Sequence, residues 1–192
     1  MFRPADIPAR SAASAAAARP PTPPLVFCVD DETEDRRMFE RLLQEPGLDY
    51  SSRMFGHGEE MLDALLEVLR GAAPPLACFV DVKMAGMSGF DVLRWIRCQH
   101  ALDAVPVIML SSSDDPEQLI DARVSGAQCY VAKFPTAAQL RHVLLEAERY
   151  SAAHSASEAF QLPCNLLLTA NRASMMPHGD AGPFSVRIAG AT

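Results

Sequence analysis

Five polar side chains follow short apolar runs in this 192-residue sequence, each where a run ends. They are three carboxylates, one hydroxyl and one ammonium: Asp30, Asp31, Asp81, Ser111 and Lys133. Carboxylates that lie close together raise one another's pKa unless a cation sits among them. Oxygen ligands suit a hard divalent cation, Mg²⁺ before Mn²⁺, whereas a hydroxyl and an ammonium suit phosphate oxygens. Brought together, these groups describe a phosphoryl-transfer site in which an aspartate is the nucleophile.

The elements that must position these residues alternate along the chain. Five short apolar runs, three of them nearly unbroken, predict strands buried on both faces of a parallel sheet. These strands are predicted over residues 25–30, 50–55, 76–81, 105–110 and 128–132. Segments with apolar residues at helical spacing follow each strand. Capping boxes that begin at Ser88 and Thr136, and the Asp115-Pro116 pair, mark three helix starts.

This alternation, with right-handed crossovers, predicts an α/β fold with a doubly wound, five-stranded parallel sheet. Loops at the carboxyl ends of such strands converge where ligands bind, so we expect the five polar residues to lie at one sheet edge. Composition sets the boundaries: an Ala- and Pro-rich leader over 1–24, the α/β domain over 25–150, and a C-terminal extension over 151–192. Both extensions are expected to be flexible, because their composition does not support a core.

Charge and composition exclude several classes of protein. The chain holds 17 basic and 24 acidic side chains, a net charge of −7, and the predicted domain is more acidic than the whole. An acidic domain repels phosphate backbones, which argues against nucleic acid as a partner. No apolar run approaches the ~18 residues that span a bilayer. The N-terminus lacks an apolar signal core and no Cys-x-x-Cys pair occurs, so a cytoplasmic location is expected.

The stretches around the five polar residues carry a family resemblance. They lie at 29–32, 79–89, 105–111 and 130–135 and are distributed over the whole predicted domain. With these stretches the chain resembles the response-regulator receiver domain, the CheY-like family of two-component signalling, which has a flavodoxin-like (βα)5 fold. The resemblance implies a signalling protein that promotes its own phosphorylation and dephosphorylation without being a turnover enzyme.

The resemblance also implies a role for each carboxylate. Asp81 would accept a phosphoryl group from a histidine kinase or a histidine phosphotransfer protein. Asp30 and Asp31 would hold Mg²⁺ together with Asp81 and the backbone carbonyl of Lys83.

The remaining family positions imply a switch. Lys133 would bind the phosphoryl group, and Ser111 would be the hydroxyl that closes onto it. Tyr130 would be the aromatic side chain that turns inward upon activation. These movements would bias the face formed by the fourth helix, fifth strand and fifth helix toward a downstream effector protein.

The chain departs from the family pattern near the site. Ala85 stands where a proline is usual four positions after the acceptor, which should loosen that loop. The Lys-Pro pair that is usual in the family is replaced by Lys133-Phe134-Pro135, so any cis peptide would shift to the Phe134–Pro135 bond. Lys83 and Ser113 occupy positions that we expect to tune the lifetime of the phosphoryl group.

Two questions stay open from the sequence. One is whether the chain accepts a phosphoryl group or is a phosphorylation-independent docking module; the presence of all five site residues argues for phosphoryl acceptance. The other is whether the apolar cluster at 160–168 docks on the domain or on a partner, or belongs to a loosely ordered tail. A third class, the dehalogenase-like phosphatases, is disfavoured, because Lys83 replaces the second carboxylate of their Asp-x-Asp motif. No output domain is recognised in 151–192, so we expect a stand-alone receiver that acts in trans.

Overall fold

A parallel sheet forms the centre of the fold in the computed structural model, which describes residues 22–112, 115–155 and 167–168. Its five main strands are β1 (Leu25–Val29), β2 (Ser51–Phe55), β3 (Ala77–Asp81), β4 (Val107–Ser111) and β5 (Cys129–Ala132). Their order in the sheet is β2-β1-β3-β4-β5, and each neighbouring pair is parallel. The structure thus confirms the predicted doubly wound sheet.

A helix follows each of these strands, and α3, α4 and α5 begin at the three starts marked in the sequence. They are α1 (Thr33–Leu43), α2 (Gly58–Leu69), α3 (Gly89–Arg97), α4 (Pro116–Val124) and α5 (Ala137–Ser155). A short 3₁₀ helix at His100–Leu102 follows α3. The capping box at Ser88 is complete, and the Thr136 hydroxyl accepts a hydrogen bond from the Gln139 backbone N–H. Among the described residues, no helix has the length and apolarity needed to cross a membrane.

Both faces of β1, β3 and β4 are buried, which explains why these strands are almost entirely apolar, whereas the edge strand β2 carries the exposed Arg53. Along β1, Val26 and Cys28 pack on the face covered by α1 and α5, whereas Phe27 and Val29 pack on the opposite face. That second face is covered mainly by α2 and α3, whose Leu65, Leu93 and neighbours are fully buried. Each apolar residue of these central strands therefore gains from burial, whichever way it points.

Strand β4 begins two residues later than predicted and ends one residue later. Proline has no N–H group, so Pro106 cannot donate to the sheet, although its carbonyl accepts a hydrogen bond from Cys78. The shift brings Ser111 into the strand, where it pairs with Ala132 of β5. The backbone of Ser111 is therefore held by the sheet and does not belong to a loop.

A two-residue strand, β6 (Leu167–Leu168), lies parallel to β5 at the edge of the sheet. The sequence predicted no strand after residue 132, because a two-residue segment carries no periodicity. Its register pairs Leu167 with Tyr130 and Leu168 with Val131. For these two residues, the pairing favours docking on the domain over docking on a partner. The rest of the apolar cluster, the leader up to residue 21 and Ser113 lie outside the described residues.

Candidate functional site

The carboxyl ends of β1, β3, β4 and β5 meet at one edge of the sheet. The register places Asp81 beside Leu110 and Ser111 beside Ala132, so the ends of these strands are level. Asp30 follows the last residue of β1, and Lys133 follows the last residue of β5. The structure therefore brings the sequence-predicted polar residues to the same place, as parallel strand ends require.

Three carboxylates form the acidic part of the site. Asp30 and Asp81 are buried, with 3% and 2% of their surface exposed, and Asp31 is half-buried. One carboxylate oxygen from each lies within 4.8 Å of the others. The backbone N–H of Glu32 donates to Asp30 over 2.9 Å, and that of Ala85 donates to Asp31 over 2.8 Å. These two bonds fix the orientation of the carboxylates without using all their oxygen lone pairs.

The ammonium group of Lys133 contacts three carboxylates at once. Its Nζ atom lies 3.0 Å from Asp30 Oδ2, 3.0 Å from Asp81 Oδ2 and 2.8 Å from Asp35 Oδ2. Asp35 was not among the residues predicted from sequence. It lies in the first turn of α1, four residues after Asp31, and acidic residues in a first helical turn are too common to be a signal of a site.

Burial and neighbouring charges shift the pKa values of these groups. Burial raises the pKa of Asp81 to about 6, and the charge of Asp30 adds to the rise, although the nearby ammonium of Lys133 opposes it. Burial also raises the pKa of Asp30. Desolvation disfavours the charged form of Lys133, but the close carboxylates of Asp35, Asp30 and Asp81 outweigh it and raise the pKa of this lysine. Lys133 therefore stays protonated, while burial keeps the ionised forms of Asp30 and Asp81 unfavourable.

The oxygen atoms of this site fit a hard divalent cation. Asp81 Oδ2 is buried and accepts no hydrogen bond within the part of the chain described, although Lys133 approaches it as an ion pair. A buried carboxylate oxygen without a donor is rare in folded proteins and points to a missing ligand. Three carboxylates with open lone pairs are the donor set that Mg²⁺ uses.

The remaining predicted residues surround the carboxylates. The backbone N–H of Lys83 hydrogen-bonds the Asp81 carboxylate, while the Lys83 side chain is exposed. Ser111 is buried, and its backbone carbonyl accepts a hydrogen bond from the backbone N–H of Lys133 over 2.7 Å. Tyr130 is buried on the α2–α3 side of the sheet and its hydroxyl donates to Gln118 of α4 over 3.4 Å. The structure thus places the Tyr130 ring inside the domain.

The conformation of the segment after Lys133 differs from the one expected from the sequence. The Phe134–Pro135 peptide bond is trans, so the proposed shift of a cis bond to this position is wrong. The turn is made instead by Phe134, whose φ of +65° lies in the left-handed region that bulky residues rarely adopt. Half of the Phe134 surface is exposed beside the site.

The fold and the site together define a class: an α/β signalling domain with an acidic pocket and a lysine at the carboxyl edge of its sheet. The chain matches the response regulator receiver domain over residues 26–145 and belongs to that family. Receiver domains are phosphoacceptor signalling modules of two-component systems, not turnover enzymes, and they bind Mg²⁺ at an acidic pocket. They interact with histidine kinases and downstream effectors.

Similar proteins include both short and long chains. Chemotaxis protein CheY-3 of Vibrio cholerae is 31% identical over 119 residues, which cover 62% of this chain and 87% of that protein. The sensory/regulatory protein RpfC of Xanthomonas campestris is 31% identical over 123 residues, but the match spans only 16% of RpfC. The solved structure of Vibrio cholerae CheY4 has 25% identity and a TM-score of 0.57, covering 66% of this chain and 99% of CheY4.

Proposed function

We propose that Asp81 accepts a phosphoryl group from a histidine kinase or a histidine phosphotransfer protein in an Mg²⁺-dependent reaction. The observation that carries this proposal is Asp81 Oδ2, a buried carboxylate oxygen that accepts no hydrogen bond among the described residues and lies 3.0 Å from the Lys133 ammonium. An oxygen held in this way keeps its lone pairs available for a new bond.

The carboxylates of Asp30, Asp31 and Asp81 would hold Mg²⁺ together with the backbone carbonyl of Lys83. The cation supplies a positive charge for the phosphoryl oxygens when it is bound. The side chains of Asp30 and Asp31 are oriented by backbone N–H groups, so they are arranged before any ligand arrives. Such preorganisation keeps the reorganisation needed during transfer small.

In the transfer itself, an Asp81 carboxylate oxygen forms a bond to phosphorus while the phosphorus–nitrogen bond of the donor phosphohistidine breaks. The electron pair of that bond leaves with the imidazole nitrogen. Lys133 offers its ammonium to the transferred oxygens, and Ser111 offers a hydroxyl from the neighbouring strand. The proposal needs no separate general base, because a carboxylate nucleophile has no proton to lose.

The output of the switch is proposed to pass through the face formed by α4, β5 and α5 to an effector protein in trans. Two observations support this face. Ile120 and Val124 of α4 are 60% and 81% exposed, although both are apolar. The Tyr130 hydroxyl of β5 donates a hydrogen bond to Gln118 of α4, so a movement of the tyrosine would change a contact with that helix.

The proposal also covers the setting of the protein. We assign residues 25–150 to the receiver domain, 1–24 to a leader and 151–192 to an extension. We also place the protein in the cytoplasm, where a reducing environment suits the buried thiols of Cys28, Cys78 and Cys129.

The test of the proposal is incubation with Mg²⁺ and acetyl phosphate, followed by intact-mass analysis of the wild type and Asp81→Asn. The expected result is a mass gain of one phosphoryl group in the wild type that the variant lacks. No gain in either protein, with beryllofluoride also failing to bind, would overturn the proposal. That result would favour the alternative of a phosphorylation-independent docking module.

We expect Ser111→Ala to separate phosphorylation from output. The variant keeps the three carboxylates and Lys133, so acetyl phosphate should still add a phosphoryl group to Asp81. It lacks the hydroxyl that closes onto that group, so phosphorylation should no longer change the environment of Tyr130. The readout is the tyrosine NMR spectrum with and without beryllofluoride, and Ser112→Ala, next to it in sequence and exposed, is the control. Equal spectral changes in Ser111→Ala and wild type would contradict this role.

A further inference from the structure

The Lys133 ammonium is shared among three carboxylates. An ammonium group carries three N–H donors, and three carboxylate oxygens surround this one. Two of the three oxygens belong to the acidic pocket, from Asp30 and Asp81. The third and shortest contact, at 2.8 Å, is to Asp35, and it is a well-formed hydrogen bond. A phosphoryl group on Asp81 therefore meets a lysine that already donates a hydrogen bond to Asp35.

Asp35 belongs to a different part of the molecule from the other two carboxylates. It is carried by α1 and does not end a strand, and it is not among the carboxylates whose oxygens cluster within 4.8 Å. Its side chain is only 16% exposed, so water screens its charge weakly. Asp35 and Lys133 both line a cavity of about 320 Å³ between α1 and the segment at Phe134–Pro135. There is thus space for the pair to rearrange.

The charge of Asp35 opposes the proposed transfer. Lys133 can stabilise the phosphoryl group during transfer only to the extent that its positive charge and N–H donors face the phosphoryl oxygens. A fourth carboxylate on the far side of Lys133 neutralises part of that charge and holds one donor away from Asp81. The incoming phosphoryl group is itself anionic, so Asp35 also repels it through a weakly screened environment.

We propose that Asp35 is a positioning residue that competes with the phosphoryl group for Lys133 and thereby slows phosphoryl acceptance by Asp81. The inference rests on the proposed function, since it needs Asp81 to be the acceptor. It assigns to α1 a direct influence on the rate at which the domain is switched on.

The test compares Asp35→Asn with Asp35→Glu and with Glu34→Gln. The amide keeps the shape and one hydrogen-bond acceptor but removes the charge, whereas glutamate keeps the charge. Glu34→Gln removes an equal charge from the preceding residue, whose exposed side chain pairs with Arg37 away from the site. The initial rate of phosphoryl mass gain is measured with acetyl phosphate at saturating Mg²⁺. Equilibrium binding of beryllofluoride is measured by calorimetry.

We expect Asp35→Asn to accept the phosphoryl group about fivefold faster than the wild type and to bind beryllofluoride more tightly. Asp35→Glu and Glu34→Gln should stay close to the wild-type rate. An unchanged or slower rate in Asp35→Asn, while wild type is phosphorylated, would overturn this inference alone. A rise of the same size in Glu34→Gln would also overturn it, because the effect would then be one of overall charge. Absence of phosphorylation in the wild type would instead overturn the proposed function, and this inference with it.

Discussion

Replacing Gly89 by alanine is expected to destabilise the domain by about 3 kcal/mol and to disrupt the acidic site at the same time. Gly89 is the first residue of α3, and this helix starts against the end of β3. A Cβ atom at this position would overlap the carbonyl oxygen of Asp81 and lie 2.9 Å from its carbonyl carbon and 3.0 Å from Val82 Cα. All three atoms are backbone, so α3 and the end of β3 at Asp81 would have to move apart.

The matched control is Gly86→Ala, three residues earlier, in the loop that precedes α3. Gly86 has a φ of +79°, but no atom lies within 4 Å of a Cβ built there. Alanine at this position should therefore lose only about 1 kcal/mol, the strain of a left-handed backbone in a residue with a Cβ atom. Urea denaturation gives both values, and calorimetry gives the Mg²⁺ affinity. Equal losses in the two variants would show that α3 can shift without strain, contrary to this expectation.

The contact of Gly89 with Asp81 illustrates what the sequence does and does not reveal. The capping box at Ser88 is a local signal, because its two partners lie three residues apart, so it predicts the start of α3 correctly. The contact with the backbone of Asp81 depends on how closely the helix packs against the strand, and no periodicity records that distance. Gly89 is visible in the sequence, but the close packing that requires a glycine at this position is not.

The same distinction applies to the site. Asp81 and Lys133 could be placed together from sequence, because each ends a strand and parallel strand ends share an edge. Asp35 follows a strand by several residues, within a helix, and its direction depends on the rotation of α1 about its axis. A helix rotated by one residue would turn this carboxylate away from Lys133. The left-handed turn at Phe134 is equally hidden, because bulky residues give no signal for that conformation.

Asp81→Asn is expected to stabilise the Mg²⁺-free domain at pH 7 by about 3 kcal/mol, the free energy that corresponds to a pKa rise of about two units. The native carboxyl has a pKa of about 6, against 3.8 for an unperturbed aspartate. Between these two values the native state binds more protons than the unfolded state. The stability of the wild type should therefore rise as the pH falls from 7 to 5, and it should fall as the pH rises through 6. Asparagine carries no charge to bury, so the variant should show a much weaker pH dependence.

Thermal and urea unfolding between pH 5 and pH 7, with and without Mg²⁺, measure this effect. The control is Asp63→Asn on α2, which removes the same charge from an exposed position and should leave the pH dependence unchanged. Mg²⁺ should stabilise the wild type at pH 7 and flatten its profile, because a bound cation favours the ionised carboxylates. A wild type that loses stability between pH 7 and pH 5, or an asparagine variant that is less stable at pH 7, would contradict the prediction. A more stable Asp81→Asn would also strengthen the phosphorylation test: its failure to gain mass could then not be attributed to unfolding, and the missing carboxylate would be the remaining cause.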